Sequence, residues 1–292
     1  MMEDMLRSIY QEKASQINTL GILKINKKYK VHTLTDMFDV ILLIIVKEQE
    51  ERKSIMMKHY IYEGEKAALH IIEEAQLRNW ILLGTNRKII EWIDEGEILF
   101  DRNDYMEKLR VELRDFPFYG RKIKMGLEFA KLIRRYYDGK TFFENAHYLD
   151  AYNHIVHSLH HLGRLSLIEN GFHPELTVWD QVKKIEPEIF KLYEELVKSD
   201  ESLEKRLELL FLASEFLINN RASIGAAHLL EVMENKELWS IDEITSNQEA
   251  EYYGVDLSIM LEYLIDKDFI QVVEMQVDSH GLCERLYKRK EN

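Results

Sequence analysis

Acidic side chains stand where two predicted β-strands begin or end. Asp36 and Asp39 precede the apolar run Val40–Val46, and Asp101 closes the short predicted strand Glu97–Asp101. Magnesium prefers hard oxygen ligands and shares them with substrate phosphates, so carboxylates on neighbouring strands can hold Mg²⁺ beside a nucleotide. The sequence therefore predicts a metal site at Asp36, Asp39 and Asp101. The simpler alternative is that Asp36 is a turn residue and Asp39 a strand-edge residue.

Histidines are concentrated in one predicted helix. Five of the 11 histidines lie between His147 and His161. At about 100° per residue, Asp150, His154, His157 and His161 fall within roughly 60° of one another. Histidine titrates near neutral pH and both donates and accepts hydrogen bonds, which suits a polar cleft. Three interpretations stay open: an ordinary polar ridge, a ridge that lines a substrate cleft between domains, and a transition-metal site.

A second predicted helix, over residues 121–137, carries a basic stripe. Four cationic side chains fall within about 80° of one another on this helix, with Glu128 among them: Arg121, Lys124, Lys131 and Arg135. If the stripe faces a cleft, it can neutralise a triphosphate or another anion. The alternative is a solvated face that Glu128 balances.

The first third of the chain must position the carboxylates, and it is predicted to be a small mixed α/β domain. The run Val40–Val46 lacks alternation and is rich in β-branched residues, as expected of a central strand covered on both faces. Further strands are predicted at Ile55–Tyr62 and Glu97–Asp101. Helices are predicted over residues 6–17, 65–80, 86–95 and 104–115.

A helical domain is predicted to follow. The residue before a proline avoids the helical region, so we place the boundary at residues 116–117, giving a first domain over residues 1–117. Residues 118–239 indicate a helical bundle. The predicted helices cover residues 121–137, 142–169, 187–197 and 203–234.

The tail, residues 240–292, has a winged-helix pattern. A helix over 256–266 precedes two predicted strands, over 269–277 and 282–288. The tail contains twelve acidic and five basic residues, and its predicted third helix carries no basic residue. A recognition helix in a DNA groove needs the opposite charge, so DNA binding is disfavoured and a structural or protein-interaction role is preferred.

Composition narrows the functional classes. The chain has 292 residues and a net charge of −13, which disfavours broad attraction to nucleic acid or anionic membranes. The single cysteine, Cys283, allows neither an internal disulfide nor a cysteine-based zinc site. No signal peptide is visible, and the longest apolar run is too short for a membrane span, so a cytoplasmic protein is expected.

Several segments resemble a known family. The layout is similar to the nucleotidyltransferase superfamily of the kanamycin nucleotidyltransferase type, and more closely to the YgxA nucleotidyltransferase-like family. The closer match rests on residues 38–46 (FDVILLIIV), 96–102 (GEILFDR), 129–135 (FAKLIRR), 148–153 (YLDAYN) and 159–162 (LHHL). The resemblance implies an α+β protein with a small mixed-sheet nucleotidyltransferase-like domain, a helical substrate-binding-like domain and a winged-helix-like tail.

The resemblance also implies where catalysis would lie. The superfamily has a glycine followed by a small residue, then a pair of acids at a strand start, and a third acid on a later strand. Gly21 matches the glycine, although Ile22 replaces the small residue. Asp39 and Asp101 match the first and third acids, but Ile41 stands at the second. Related enzymes draw a general base from the helical domain, for which the candidates are Asp150 and Glu144.

Three functions follow from these features. The first is a transferase that moves a nucleotide monophosphate from an NTP to a small-molecule acceptor, with Mg²⁺ on the carboxylates. The basic stripe together with His154, His157 and His161 would then hold the substrates. The second is a catalytically inactive ligand-binding or scaffold protein on the same fold. The third is a winged-helix transcription regulator, which the charge of the tail opposes.

Overall fold

A computed structural model of the chain describes residues 2–27, 34–47, 55–86, 88–116, 118–277 and 281–290. Contacts within the chain divide it into two compact units, Met1–Pro117 and Phe118–Asn292. Strands lie mainly in the first unit and helices mainly in the second, so the predicted α+β fold class is confirmed. None of the helices in the described part of the chain has the length and apolar character needed to cross a membrane.

The first unit is built on a five-stranded mixed sheet. Its strands are β1 (Thr19–Asn26), β2 (Val40–Val46), β3 (Ile55–Tyr62), β4 (Glu65–Glu73) and β5 (Glu97–Asp101). They lie in the order β3-β4-β2-β1-β5, with β2 and β4 parallel and every other neighbouring pair antiparallel. Every residue of the central strand β2 is buried, as predicted.

Helices cover both faces of this sheet. They are α1 (Met2–Ser15), α2 (Glu74–Leu83), α3 (Ile89–Glu95) and α4 (Tyr105–Asp115). Ile9 and Tyr10 of α1 pack against Ile22, Leu42 and Ile44 on one face. The remaining three helices contact β1, β2, β4 and β5. Because successive strand residues point to opposite faces, a strand covered on both sides needs an unbroken apolar run.

The helix predicted over residues 65–80 is wrong in its first half. Residues 65–73 form β4, and the helix begins only at Glu74. A hairpin turn at Glu63 and Gly64, both with positive φ, sends the chain back along β3. The segment also pairs with β2 along its whole length. Tertiary pairing and burial of residues 67–72 therefore override the helical preference of Ala67 and Ala68.

The second unit begins with helices. They are α5 (Phe118–Glu144), α6 (Tyr148–Glu169), α7 (Val178–Ile185), α8 (Pro187–Lys198), α9 (Leu203–Asn220) and α10 (Ala222–Met233). The break predicted at residues 138–139 is wrong, since α5 continues to Glu144. A Cβ on Gly139 would lie 3.0 Å from the His154 Cβ, so this glycine lets α5 and α6 approach closely. The helix predicted over 203–234 is interrupted at Arg221.

The C-terminal part of the second unit has the predicted helix-and-wing pattern. It contains α11 (Ile241–Thr245), a 3₁₀ helix (Glu251–Asp256), α12 (Leu257–Asp266), β6 (Ile270–Gln276) and β7 (Cys283–Arg289). Strands β6 and β7 form the antiparallel wing, and Trp239 pairs with Tyr287 beside it. The predicted boundary between residues 239 and 240 lies inside this unit and stays a prediction.

Candidate functional site

Asp39 immediately precedes β2, and its hydrogen bonds connect it to the adjacent ends of β1 and β4. Its backbone N–H donates to the Lys66 carbonyl at 2.8 Å. Its carboxylate accepts hydrogen bonds from the Lys66 backbone N–H at 2.9 Å and from Lys27 Nζ at 3.3 Å. The Lys66 hydrogen bond is the main cause that lowers the pKa of Asp39. Asp39 is therefore an ionised carboxylate whose charge is balanced by Lys27 and stabilised by the Lys66 backbone N–H.

Asp101 has a different structural role. Its carboxylate accepts hydrogen bonds from the backbone N–H of Met106 at 2.9 Å and of Glu107 at 3.4 Å. These amides belong to the first turn of α4, where a helix has no internal acceptors for its N–H groups. Asp101 therefore caps α4, as a negative side chain near a helix N-terminus usually does.

The structure does not bring Asp39 and Asp101 together as the shared magnesium site requires. Asp101 pairs with Gly21 near one end of β1, whereas the Asp39 carbonyl accepts from the Lys27 N–H just beyond the other end. At about 3.3 Å per residue, these two points of β1 are roughly 20 Å apart. Carboxylates that share Mg²⁺ must each lie about 2 Å from it.

The residues that lie directly beside Asp39 on the neighbouring strands are not carboxylates. Asn26 and Lys27 lie beside it at the end of β1, and Lys66 and Ala67 lie beside it near the start of β4. Among the described residues, the other carboxylates near this edge in sequence include Asp36 and Glu65. Asp36 pairs with Lys88, so the edge already holds lysines beside two of its acids.

Gly21 is explained by packing. It is buried in β1, and a Cβ placed on it would lie 2.5 Å from the Met106 Sδ of α4. Its neighbour Ile22 is 0% exposed and belongs to the core on the opposite face. Gly21 lies near the end of β1 remote from Asp39, so the structure does not bring these two residues together, and the assignment of Gly21 to nucleotide binding stays a prediction.

A polar group that the sequence did not reveal lies around Asp36. Asp36 has a positive φ of 49° and pairs with Lys88, the residue just before α3. His70 of β4 packs against Trp92 at a ring-centroid distance of 5.2 Å. Burial lowers the pKa of His70, the charge of His59 lowers it further, and Asp36 opposes both. With residues 65–80 predicted as a helix, the proximity of His70 to Asp36 could not be expected, because the pairing of β4 with β2 brings His70 to this region.

The helix pair α5 and α6 encloses a buried carboxylate. Glu128 is 5% exposed and accepts a hydrogen bond from His161 Nδ1 at 2.8 Å. Arg164 Nε lies 3.2 Å and Lys131 Nζ 4.0 Å from its other oxygen. Burial alone would raise the pKa of Glu128, but the His161 hydrogen bond and the Arg164 charge outweigh it and lower the pKa to about 2. Glu128 is thus a buried anion at neutral pH.

A buried lysine lies on the same face of α5. Lys124 is 7% exposed, and its Nζ is 3.3 Å from His173 Nδ1. Burial and the nearby charge of Arg164 lower the pKa of Lys124 to about 8. One turn earlier, Arg121 Nη1 lies 3.1 Å from where a Cβ on Gly171 would stand. We call the following set the α5–α6 charge cluster: Lys124, Glu128, His161, Arg164 and His173.

The burial of this cluster argues against one of the two interpretations of the basic stripe, the solvated face. The solvated-face alternative is wrong for Lys124 and Glu128, since both are buried. Lys131 has a 35% exposed side chain beside Glu128. Arg121 and Arg135 are half-buried. The stripe therefore includes cations that the helix pair withdraws from water, at a cost in desolvation that exposed cations do not have.

The predicted Asp/His ridge of α6 is divided by the structure. Asp150 and His157 are exposed, whereas His154 and His161 are half-buried against α5. His154 Nδ1 lies 3.8 Å from Asp138, and His161 belongs to the charge cluster. Among the described residues, no group of three or more acidic, histidine or cysteine side chains is arranged to hold a metal ion. The packed side of α6 contains three leucine or isoleucine residues at 0% exposure: Ile155, Leu159 and Leu162.

The two general-base candidates lie far from the charge cluster. Glu144 is exposed at the end of α5, and Asp150 is exposed in the first turn of α6. Lys124 and Glu144 are separated by roughly 30 Å at about 1.5 Å per residue of α5. The structure therefore does not bring Glu144 together with the buried cations of the stripe.

The opposite side of α5 binds the C-terminal part of the unit. Tyr263 of α12 is 3% exposed and packs edge-on against Phe129 of α5 at a ring-centroid distance of 5.5 Å. A Cβ on Gly126 of α5 would lie 2.3 Å from the Tyr253 hydroxyl, and one on Gly225 of α10 would lie 2.2 Å from Phe129. Two glycines therefore permit this close packing.

The exposed face of α12 is acidic. Its solvent-facing residues are Ser258, Glu262 and Asp266. Glu262 pairs with Arg285 of the wing at 2.8 Å. Helix α12 thus packs one side against α5 and presents carboxylates on the other, which is the charge pattern predicted from the sequence.

Comparison with known proteins defines the class. Family models match residues 2–121 as nucleotidyltransferase-like, residues 122–221 as a YgxA-like substrate binding domain, and residues 227–289 as a helix-turn-helix domain. A solved nucleotidyltransferase-like protein from Exiguobacterium sibiricum 255-15 is 37% identical, covers 99% of both chains and superposes with a TM-score of 0.84. The fold is thus that of a nucleotidyltransferase-like protein with a C-terminal helix-turn-helix domain.

The particular family follows from a closer relative. The uncharacterized protein YgxA of Bacillus subtilis (strain 168) is 50% identical over 289 residues, which is 99% of this chain and 98% of that protein. The chain belongs to the YgxA family.

Proposed function

We propose that this chain is a ligand-binding protein built on the nucleotidyltransferase-like fold, and that it does not transfer nucleotides. The observation that carries the proposal is the separation of Asp39 and Asp101 by the length of β1. The ligand is assigned to the helical domain. The name of the matching family model, a substrate binding domain, and the α5–α6 charge cluster both support this assignment.

Nucleotide transfer depends on charge neutralisation at the phosphates, which carboxylate-bound metal ions supply in this type of chemistry. At the sheet edge, Asp39 already accepts hydrogen bonds from Lys27 and Lys66. Ile41, two residues on, is 1% exposed in the core and has no oxygen to offer. These contacts give Asp39 a structural role that does not require a metal ion.

The competing hypothesis is transfer of a nucleotide monophosphate from an NTP to a small-molecule acceptor. One observation favours it, since Asp36 and Asp39 both precede β2 and stand as candidates for a single Mg²⁺. The basic stripe would then neutralise the triphosphate, and Asp150 or Glu144 would serve as the general base.

One experiment separates these two functions. The full chain is incubated with each NTP and Mg²⁺ plus a pool of small hydroxyl and amine acceptors, and pyrophosphate release is measured alongside calorimetric NTP titration. We expect no pyrophosphate release above a boiled control, and any NTP binding should be equal with and without Mg²⁺. Release that depends on Mg²⁺ and disappears in Asp39→Asn would replace our proposal with the transferase.

We further propose that the helix-turn-helix domain has a structural or protein-interaction role. Its α12 packs against α5 through Tyr263 and exposes Glu262 and Asp266, a charge that repels DNA phosphates. A gel-shift assay of the full chain with mixed-sequence duplex DNA tests this. We expect no salt-sensitive complex at micromolar protein, and such a complex would revive the transcription-regulator hypothesis.

The single cysteine, Cys283, leads us to propose the cytoplasm as the place of action.

A further inference from the structure

Three large apolar side chains of α9 are exposed on one face of that helix. Leu209, Leu212 and Phe216 are 56%, 71% and 65% exposed. Their spacing of three and four residues brings them onto the same face at about 100° per residue. Exposed apolar patches with a polar rim often mark interaction sites. We call these three residues the α9 stripe.

The other face of α9 holds the helix in its domain. Leu207, Leu210, Phe211 and Ile218 are buried there, and α9 contacts α5, α6 and α8. An amphipathic helix normally carries polar residues on the face opposite its buried side. The α9 stripe lies where such polar residues are expected, so packing within the domain does not explain it.

Glutamates follow one edge of the α9 stripe. Glu204, Glu208 and Glu215 fall within roughly 40° of one another around the helix. Glu204 and Glu208 are exposed, and the side chain of Glu215 is 43% exposed. Glu215 pairs with Lys140 at 3.3 Å, whereas Glu204 accepts a hydrogen bond from the uncharged Tyr148 hydroxyl at 2.7 Å. This edge of the stripe is therefore negatively charged.

The other surroundings of the α9 stripe are different in charge. Ala213 and Arg206 lie along the opposite edge, and Arg206 donates a hydrogen bond to a backbone carbonyl of α8 at 2.7 Å. Lys205, one turn before the stripe, pairs with Glu201 at 2.9 Å. The cations beside the stripe thus have partners within the chain, and the acidic edge gives the surface its sign.

This charge pattern disfavours a second copy of the chain as the partner. The α9 stripe occupies positions a and d of a coiled-coil heptad, and Glu208 and Glu215 both occupy position g. In an antiparallel pair the g positions face each other, so Glu208 of one copy would lie near Glu215 of the other. In a parallel pair each g residue faces position e, where Ala213 and Asn220 offer no positive charge. A helix with lysine or arginine along its flank would instead form ion pairs with the glutamates.

We propose that the α9 stripe docks an amphipathic helix of another protein. Apolar side chains of that helix cover Leu209, Leu212 and Phe216, and its basic flank lies against Glu204 and Glu208. Helices that lay an apolar face on a complementary surface are a recurring mode of protein recognition. The inference goes beyond the proposed function, because it concerns a protein partner and not the small-molecule ligand.

The probe for the test is a fluorescent three-heptad peptide with leucine at positions a and d and lysine at e and g. The lysines discourage the peptide from pairing with itself. A second peptide, with glutamate in place of every lysine, is the charge control. Fluorescence anisotropy measures the binding of each peptide to the full chain at low salt, where screening is weak.

The main variant is Leu212→Ser, and the matched control is Leu282→Ser on the wing, where the leucine is 63% exposed. We expect saturable binding of the lysine peptide, weakened at least tenfold by Leu212→Ser and less than twofold by Leu282→Ser. Glu208→Lys should weaken binding of the lysine peptide at least threefold and strengthen binding of the glutamate peptide. If Leu212→Ser does not fold by circular dichroism, Phe216→Ser replaces it, with the same expected loss.

Three binding results would overturn the proposal: no saturable binding of the lysine peptide, equal binding by the wild-type chain and Leu212→Ser, or equal binding of the two peptides. Sedimentation equilibrium of the wild-type chain without peptide tests the other occupant. A dimer that Leu212→Ser dissociates would assign the α9 stripe to a second copy of the chain and overturn the proposed partner. A monomer supports the proposal.

Discussion

Charged residues are arranged in opposite ways in the sheet of the first unit and in the α5–α6 helix pair of the second. Along the sheet, Asp39 and Asp101 are kept apart by β1, and each makes hydrogen bonds to nearby backbone amides. In the helix pair, Glu128, Arg164 and Lys124 are brought together and withdrawn from water. The first arrangement stabilises strand and helix ends, and the second concentrates charge between two packed helices.

The proposed function implies that this chain keeps the nucleotidyltransferase-like fold without nucleotide transfer. The sheet order and the strand β2 depend on the packing of buried apolar side chains. A metal site depends on carboxylates within a few ångströms of one another. Sequence similarity therefore transfers the fold more securely than the site.

The largest expected effect is the loss of the buried carboxylate. Glu128→Gln leaves Arg164 buried without its partner, which should lower the free energy of unfolding by about 3–5 kcal/mol. Urea unfolding at pH 7 measures the change. Glu231→Gln on α10 is the matched control, because it breaks an exposed pair with Lys122 and should cost only about 0–1 kcal/mol. A cost below about 1 kcal/mol for Glu128→Gln would remove the contrast between the two regions.

Removal of the buried lysine should have the opposite sign. The pKa of Lys124 is lowered from 10.5 to about 8 in the folded chain. Between pH 8 and pH 10.5 the unfolded state binds more protons at Lys124 than the folded state, so the free energy of unfolding rises with pH in this range. Below pH 8 the lysine is charged in both states, and the full cost of burying its charge lowers the stability. Lys124→Met should therefore stabilise the chain by roughly 1–3 kcal/mol at pH 7. Urea unfolding at pH 7 and pH 10 should show this gain shrinking at the higher pH, and a destabilised variant at pH 7 would contradict it.

Gly21 tests packing against phosphate binding in the first unit. Gly21→Ala places a methyl group against Met106, and overpacking of this kind costs about 1–3 kcal/mol. Thermal unfolding should show the loss, whereas Gly120→Ala should not, because nothing lies within 4 Å of a Cβ at Gly120. An unchanged melting temperature for Gly21→Ala would mean that the glycine is kept for another reason.

The smallest expected effect is at the helix cap. Asp101→Ala removes the acceptor for the Met106 and Glu107 amides, which should cost about 1 kcal/mol. Hydrogen exchange should speed up mainly at the first turn of α4. The neighbouring Asp104→Asn is a suitable control, since Asp104 makes no side-chain cap hydrogen bond and asparagine tolerates its left-handed backbone with φ 58°. Equal exchange in both variants would argue against the capping role.

The sequence predicted those elements whose pattern is local. The apolar run of β2, the strand β3 and the helix-and-wing pattern of the tail could be identified because short β-branched or apolar runs between turn residues are visible in the local sequence. The strand β4 could not, since residues 65–73 pair with distant strands and include two alanines, which favour helices.

The candidate site was less predictable than the fold. The basic stripe on α5 was visible in the sequence. The cation that pairs with Glu128, Arg164, lies on α6, and only the packing of the two helices shows that Lys124 and Glu128 are buried. The distance between Asp39 and Asp101 depends on strand order and register, which single-sequence patterns do not contain.

The most direct test of the central claim is a calorimetric titration of ATP, with and without Mg²⁺, into the wild-type chain and into Asp39→Asn. We predict that the two chains bind MgATP with affinities within twofold of each other, or that neither binds it. Mg²⁺-dependent ATP binding that is lost in Asp39→Asn would contradict the proposal and assign the function to the sheet of the first unit.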